Sequence, residues 1–93
     1  MKLPVVYDDI PRHERWLVRE EYIDLQKGLC YHCGVSLDEE PANEVLEKKV
    51  DKNLFPPGFF NNPHHLHHSH ETGLTIGVVH AYCNAVLWQY EGE

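Results

Sequence analysis

Two short pairs of metal-type donors, Cys30-x-x-Cys33 and His80-x-x-Cys83, lie far apart in this chain, and the fold must either bring them together or leave three thiols unused. Zinc takes about four nitrogen or sulfur ligands in a tetrahedron, commonly from two pairs at this spacing. Disulfide use fits poorly, because three cysteines cannot all pair internally and the Cys30–Cys33 spacing suits a metal better. A chain of 93 residues is one domain with a modest hydrophobic core, so a staple is needed. Zinc binding in small peptides is worth about 10 to 16 kcal/mol near neutral pH, comparable to a typical domain's whole net stability. A structural zinc on Cys30, Cys33, His80 and Cys83 is therefore expected, with merely buried thiols as the plainer alternative. His32, inside the first pair, is expected to point outward.

The remaining elements follow from residue periodicity. A helix is expected over 11–28: Pro11 suits a first helical position, Val18, Tyr22 and Leu25 recur on one stripe, and Gly28 supplies a stop. Leu29 extends the stripe and is expected to pack under a knuckle at 30–35. Residues 36–63 read as a long irregular loop, acidic at Asp38-Glu39-Glu40, with a short helical turn within 44–49. Such loops are uncommon in compact domains unless they act as lids or binding loops, and three phenylalanines favour packing down over a disordered linker. A β-hairpin is expected over 64–79, with Gly73 ending its turn and β-branched residues in its second strand, followed by a knuckle and helix over 80–90. Residues 1–10 can pair as a strand or simply pack. The fold class is α+β, with an N-terminal helix.

Eight Lys and Arg against fifteen Asp and Glu give a net charge of −7, the opposite of what phosphate-binding proteins usually carry. Distribution tempers the total. On the first helix Arg12, Arg15 and Arg19 project to one side, while Glu14, Glu20, Glu21 and Asp24 project to the other, so one face can meet phosphate. An ordinary solvated helix fits the same pattern. No apolar run approaches the roughly 20 residues that span a bilayer, and Met1-Lys2-Leu3-Pro4 lacks a signal-peptide core. The expected compartment is the cytoplasm, with no membrane partner.

The zinc pairs bracket a run of histidines. In a regular strand His65 and His67 face one side while His68 and His70 face the other, so one imidazole can bind metal while its neighbour stays available as a base. Asn84 follows the last zinc-type ligand, where its side-chain oxygen can reach back to the hairpin. Phosphodiester hydrolysis needs a deprotonated water, a counter-charge for the phosphate and a stabilised leaving oxygen. A histidine titrating near pH 6.5 and one divalent ion meet those needs.

His65-Leu66-His67-His68-Ser69-His70-Glu71-Thr72-Gly73, followed by Gly77 and His80-Ala81-Tyr82-Cys83-Asn84, resembles the ββα-metal core of HNH or His-Me finger endonucleases. The likeness is greatest to the recombination endonuclease VII type, whose first zinc pair Cys30 and Cys33 match, and it covers roughly residues 12 to 90. It implies a small zinc-stabilised ββα-metal fold, with His68 as general base, Asn84 as a ligand of the catalytic ion and His67 as the other ligand in place of aspartate. It also implies DNA as substrate, branched DNA included, a homodimer or larger complex, and a phage or mobile-element origin. Three departures stand out: His80 replaces a cysteine, the connection from Cys33 to His65 is longer, and His67 offers a neutral nitrogen where the type offers a carboxylate. The last favours Mn2+, Ni2+, Co2+ or Zn2+ over Mg2+. Ser69 stands where an acidic residue is common and is assigned no role.

The expected function is a one-metal DNA endonuclease, its activity rising from about pH 6 to 8 as His68 loses its proton. The alternative is a non-catalytic, zinc-stapled protein-binding module that retains this core, favoured by the acidic charge. Histidine-driven metal storage is weaker, since the ligands are few and ordered. His64, His65 and His70 are expected to support the site, touch phosphate or pack, and His13 to lie on the helix surface.

Overall fold

The computed structural model describes residues 2–92; Met1 and Glu93 of the expected 1–93 domain lie outside the described residues. At its centre the histidine-rich and β-branched segments pair as an antiparallel hairpin, β1 (His64–His68) and β2 (Thr75–His80), with His64 opposite His80 and Leu66 opposite Val78. Ser69 shapes the turn, accepting the N–H groups of Glu71 and Thr72 on its hydroxyl, each at 3.2 Å. Gly73 then takes φ 77°, a left-handed conformation that costs glycine least.

The N-terminal helical region is shorter than the expected 11–28. A 3-10 turn at Arg12–Glu14 leads into α1 (Arg15–Leu25), and the chain then reverses through Lys27 and Gly28, both at positive φ. Val18 and Tyr22 are buried as expected, but Leu25 is 67% exposed and Leu29 is exposed as well. The inward stripe runs at a spacing of four and continues to the half-buried Gln26 instead of Leu25. Val78 N–H donates to Gln26 Oε1 at 2.8 Å, and Gln26 Nε2 donates to Val78 O at 2.9 Å. The side-chain amide thus acts as an added peptide unit on the open edge of β2, satisfying groups that would otherwise face water or a stray strand. Gly77 makes the room: a Cβ there would lie 2.8 Å from Gln26 Oε1 and 3.0 Å from the Tyr31 ring.

β2 runs without a break into α3 (Ala81–Glu91), and α1 and α3 both pack on the hairpin. Successive strand residues point to opposite faces, so the complete burial of both Val78 and Val79 means the sheet is covered on both sides. Among the described residues the N-terminal segment makes a single bridge, Val6 to Leu74, with Tyr7 N–H donating to Gly73 O at 2.8 Å and Thr75 N–H to Val5 O at 2.9 Å. Thr75 is buried with its hydroxyl satisfied by Tyr22 Oη at 2.7 Å and Val5 N–H at 3.0 Å. Among the described residues, no helix is long and apolar enough to cross a membrane.

The connection over 36–63 contains one helical turn, α2 (Asn43–Leu46), and a 3-10 turn at Lys52–Leu54. It is strapped to α3. Gln89 accepts Asp51 N–H and donates to Lys49 O, each at 3.0 Å, while Tyr82 and Tyr90 donate to Lys48 O and Lys49 O. These bonds satisfy backbone groups that a free linker would leave to water, and they bring Phe55, Phe59 and Phe60 into one aromatic cluster with Trp88.

Candidate functional site

Among the described residues, Cys30, Cys33, His80 and Cys83 form one donor group whose ligand atoms all lie within 4.8 Å of one another. The knuckle supplies the first pair: Gly34 takes φ 78° and donates its N–H to Cys30 O, closing a tight turn that Tyr31 N–H ties to Val78 O. The end of β2 and the first turn of α3 supply the second. His80 directs Nδ1 at the Cys33 and Cys83 sulfurs, at 3.5 and 3.6 Å. Its Nε2 lies 2.9 Å from both Ser36 O and Glu39 O, acceptors that require the proton on Nε2 and leave Nδ1 as the donor atom. Three sulfurs and one pre-oriented nitrogen are compatible with a structural zinc.

The thiols oppose one another. The hydrogen bond from Cys83 holds the Cys30 thiol down to about 4, helped by backbone hydrogen bonds and opposed by burial, while the same contact and burial push Cys83 up. A divalent cation removes this opposition, since every metal-bound cysteine is a thiolate. His32 is exposed in the knuckle and outside the cluster.

On the other side of the hairpin a cavity of about 630 Å³ gathers His65, His67, His68, His70 and Asn84, with Arg12 and Arg19. The strict alternation expected along the histidine run does not hold. The strand register shifts between His67 and His68, and β1 ends at His68, leaving His70 in the turn. Such an irregularity re-aims side chains, and His67 and His68 line the same cavity.

Tyr7 holds the His68 ring face to face at a centroid distance of 3.9 Å and an angle of 7°. Arg15 covers Tyr7 at 4.4 Å and does not line the cavity, so of the three arginines on that helical face only Arg12 and Arg19 reach it. Burial first, then the neighbouring charges of His70 and His67, push the His68 pKa below the ordinary imidazole value; Asp8 works the other way.

Asn84 meets the hairpin through its amide nitrogen, where its oxygen was expected, and the partner is His65, with Asn84 Nδ2 at 3.1 Å from His65 Nδ1. The amide nitrogen donates, so His65 must present an unprotonated Nδ1, and the Asn84 oxygen is not used in this bond. Burial lowers the His65 pKa and favours that neutral ring, with Arg19 adding to the effect and backbone hydrogen bonds at Phe59 and Asn62 opposing it. His64 instead turns to the loop, with Nε2 at 3.1 Å from Leu37 O and 3.8 Å from Asp38 Oδ1. His13 is exposed.

Sequence reasoning missed Tyr7, Gln26 and the pairing of His65 with Asn84. Gln26 was visible as the continuation of the Val18–Tyr22 spacing. Tyr7 carried no local signal, since its position depends on a backbone pairing across the hairpin turn.

No protein-family model matches the chain, and no solved structure does. Over 56 residues it is 34% identical to the RNA polymerase-associated protein RapA of Pectobacterium carotovorum subsp. carotovorum. That match takes in 60% of this chain and spans only 5% of the relative's length.

Proposed function

We propose that the chain is a zinc-stapled, metal-dependent DNA endonuclease of the HNH or His-Me finger kind, built on the ββα unit of β1, β2 and α3. The observation that supports this most is the cavity that collects His67, His68, Asn84, Arg12 and Arg19 on the same ββα unit that carries the Cys3His cluster. In this reading the structural zinc ties the end of β2 and the start of α3 to the knuckle, and the cavity does the chemistry. The protein acts in the cytoplasm, as a homodimer or in a larger complex that supplies the phosphate attraction its own −7 charge does not.

His68 is the general base. Its neutral ring accepts a proton from water, the water oxygen forms a bond to phosphorus, the opposite P–O bond breaks, and the departing alkoxide takes a proton from solvent. Tyr7 fixes the plane of that ring. Arg12 and Arg19 bind and orient the phosphate. His67 and the Asn84 oxygen are the residues that would hold a catalytic divalent ion, which supplies Lewis-acid stabilisation of the phosphate and leaving oxygen. A histidine nitrogen in that set favours Mn2+, Ni2+, Co2+ or Zn2+ over Mg2+.

The test is nicking of supercoiled plasmid by the zinc-loaded protein with each of these ions in turn. Manganese or nickel should give more cleavage than magnesium. Magnesium matching or exceeding them removes His67 as a ligand. Exposed Trp16 and Tyr31, at 54% and 59%, together with the acidic charge, favour the second reading, a protein-binding module that keeps the core without cutting. Absence of nicking with every ion selects it.

A further inference from the structure

The cavity has an aromatic wall that the hydrolytic chemistry leaves unused. Phe55 and Phe59 line it from the loop and Trp88 from α3, with ring centroids 4.7 Å apart for the phenylalanine pair and 5.4 Å for Phe55 and Trp88. Phe59 also meets the His65 ring at 4.6 Å, near perpendicular, so this wall adjoins the histidines. None of the three rings belongs to the buried core cluster, and Trp88 remains 43% exposed although packed. The loop that carries the phenylalanines is strapped to α3 by the Gln89 hydrogen bonds, so the rings are held at the cavity and not adrift.

Resting on the nuclease reading, we propose that this site takes an unpaired nucleotide of a DNA strand, its base against Phe55, Phe59 and Trp88 and its phosphate toward Arg12 and Arg19. Two physical arguments lead there. A chain of net charge −7 with two arginines in its cavity draws little affinity from a duplex backbone, whose attraction depends on many cationic contacts. Stacking on aromatic side chains is the other sequence-independent source of affinity, and every base has a face to offer. In a duplex those faces are covered by neighbouring base pairs, whereas an unpaired nucleotide at a flap, gap or single strand leaves its base free to stack. The arginines match the phosphate in charge, which selects a nucleotide over an uncharged aromatic ligand.

The experiment uses the full chain as the His68→Ala protein, zinc-loaded and unable to cut in this reading. Fluorescence anisotropy compares a labelled single strand of about 12 nucleotides, within the usual range of single-strand site sizes, with the duplex of equal length and with a strand carrying abasic sugars. The single strand should bind about tenfold or more tightly than either competitor. Phe59→Leu should weaken single-strand binding about 5- to 150-fold, the range expected for one stacked base, while duplex binding stays as it was. Equal affinity for single strand and duplex overturns the proposal, as does an abasic strand that binds as well as the complete one, and that arm is independent of how Phe59→Leu folds. Binding and cutting are read separately: failure of the parent chain to nick plasmid defeats the nuclease reading, whereas loss of the single-strand preference defeats this one.

Discussion

The two donor-rich regions on either side of the hairpin are organised in opposite ways. At the Cys3His cluster four ligand atoms lie within 4.8 Å of one another, three of the four residues are buried, and backbone carbonyls fix the tautomer of His80. The histidine cavity is open, its rings are spread along a strand that changes register, and their orientation comes from stacking on Tyr7 and a hydrogen bond to Asn84. The first arrangement suits an ion that stays and holds the chain together. The second has room beside its donors, as an exchanging ion and substrate would need. Short-spaced ligands at the ends of rigid elements suit a staple, and the imidazoles along the irregular strand are where the proposed chemistry would take place.

The largest expected effect breaks the comparison at the staple. Zinc binding worth about 10 kcal/mol or more is comparable to a small domain's entire net stability, so Cys83→Ser or a strong chelator should unfold the chain. Circular dichroism and metal analysis read this directly, with one zinc per folded chain expected. His68→Ala should shift stability by no more than about 1 kcal/mol, because His68 is only partly buried. A chain that stays folded without the ion removes the staple from the account.

Next in size is the His65–Asn84 bond. Groups that orient a metal ligand typically change affinity or activity about 10- to 100-fold when lost. His65→Ala should reduce cleavage at limiting manganese by that amount, with His65→Gln, which retains an acceptor, recovering part of it. Equal rates in parent and His65→Ala would make the contact a packing detail. Gly77→Ala acts on the fold instead: the added Cβ meets Gln26 and the Tyr31 ring, and overpacking of this kind costs about 1 to 3 kcal/mol. A thermal melt should show it as a fall of several degrees.

The smallest effect concerns pH. A general base works as the neutral ring, and burial together with His70 and His67 holds the His68 pKa below its ordinary value. The rise in activity should therefore be centred below the ordinary imidazole value of about 6.5, lower than the pH 6 to 8 span expected for an unperturbed ring. A pH–rate profile with its midpoint above that value contradicts the burial seen at His68.

What the sequence made legible was whatever depended on spacing alone. Cys30, Cys33, His80 and Cys83 could be grouped because each pair is local and zinc chemistry links the two. The hairpin could be placed because Pro63 marks its start, Gly73 ends its turn and β-branched residues fill its second strand. Leu25 reads as core because it is apolar near the end of a helix, whereas the position that turns to the sheet belongs to the half-buried Gln26, whose polar amide finds partners on β2. The cavity's detail was illegible for a related reason. Tyr7 reaches His68 through pairing across a turn some 65 residues away, and the register shift after His67 has no signature in residue type.

The most direct test of the division between a metal-holding cluster and the proposed catalytic cavity is plasmid cleavage by the His68→Ala protein, with zinc content and circular dichroism measured on the same sample. Full zinc, an unchanged spectrum and a loss of nicking of about a hundredfold or more is the predicted result, in line with removal of a general base. A folded, zinc-loaded His68→Ala protein that nicks as fast as its parent contradicts the account.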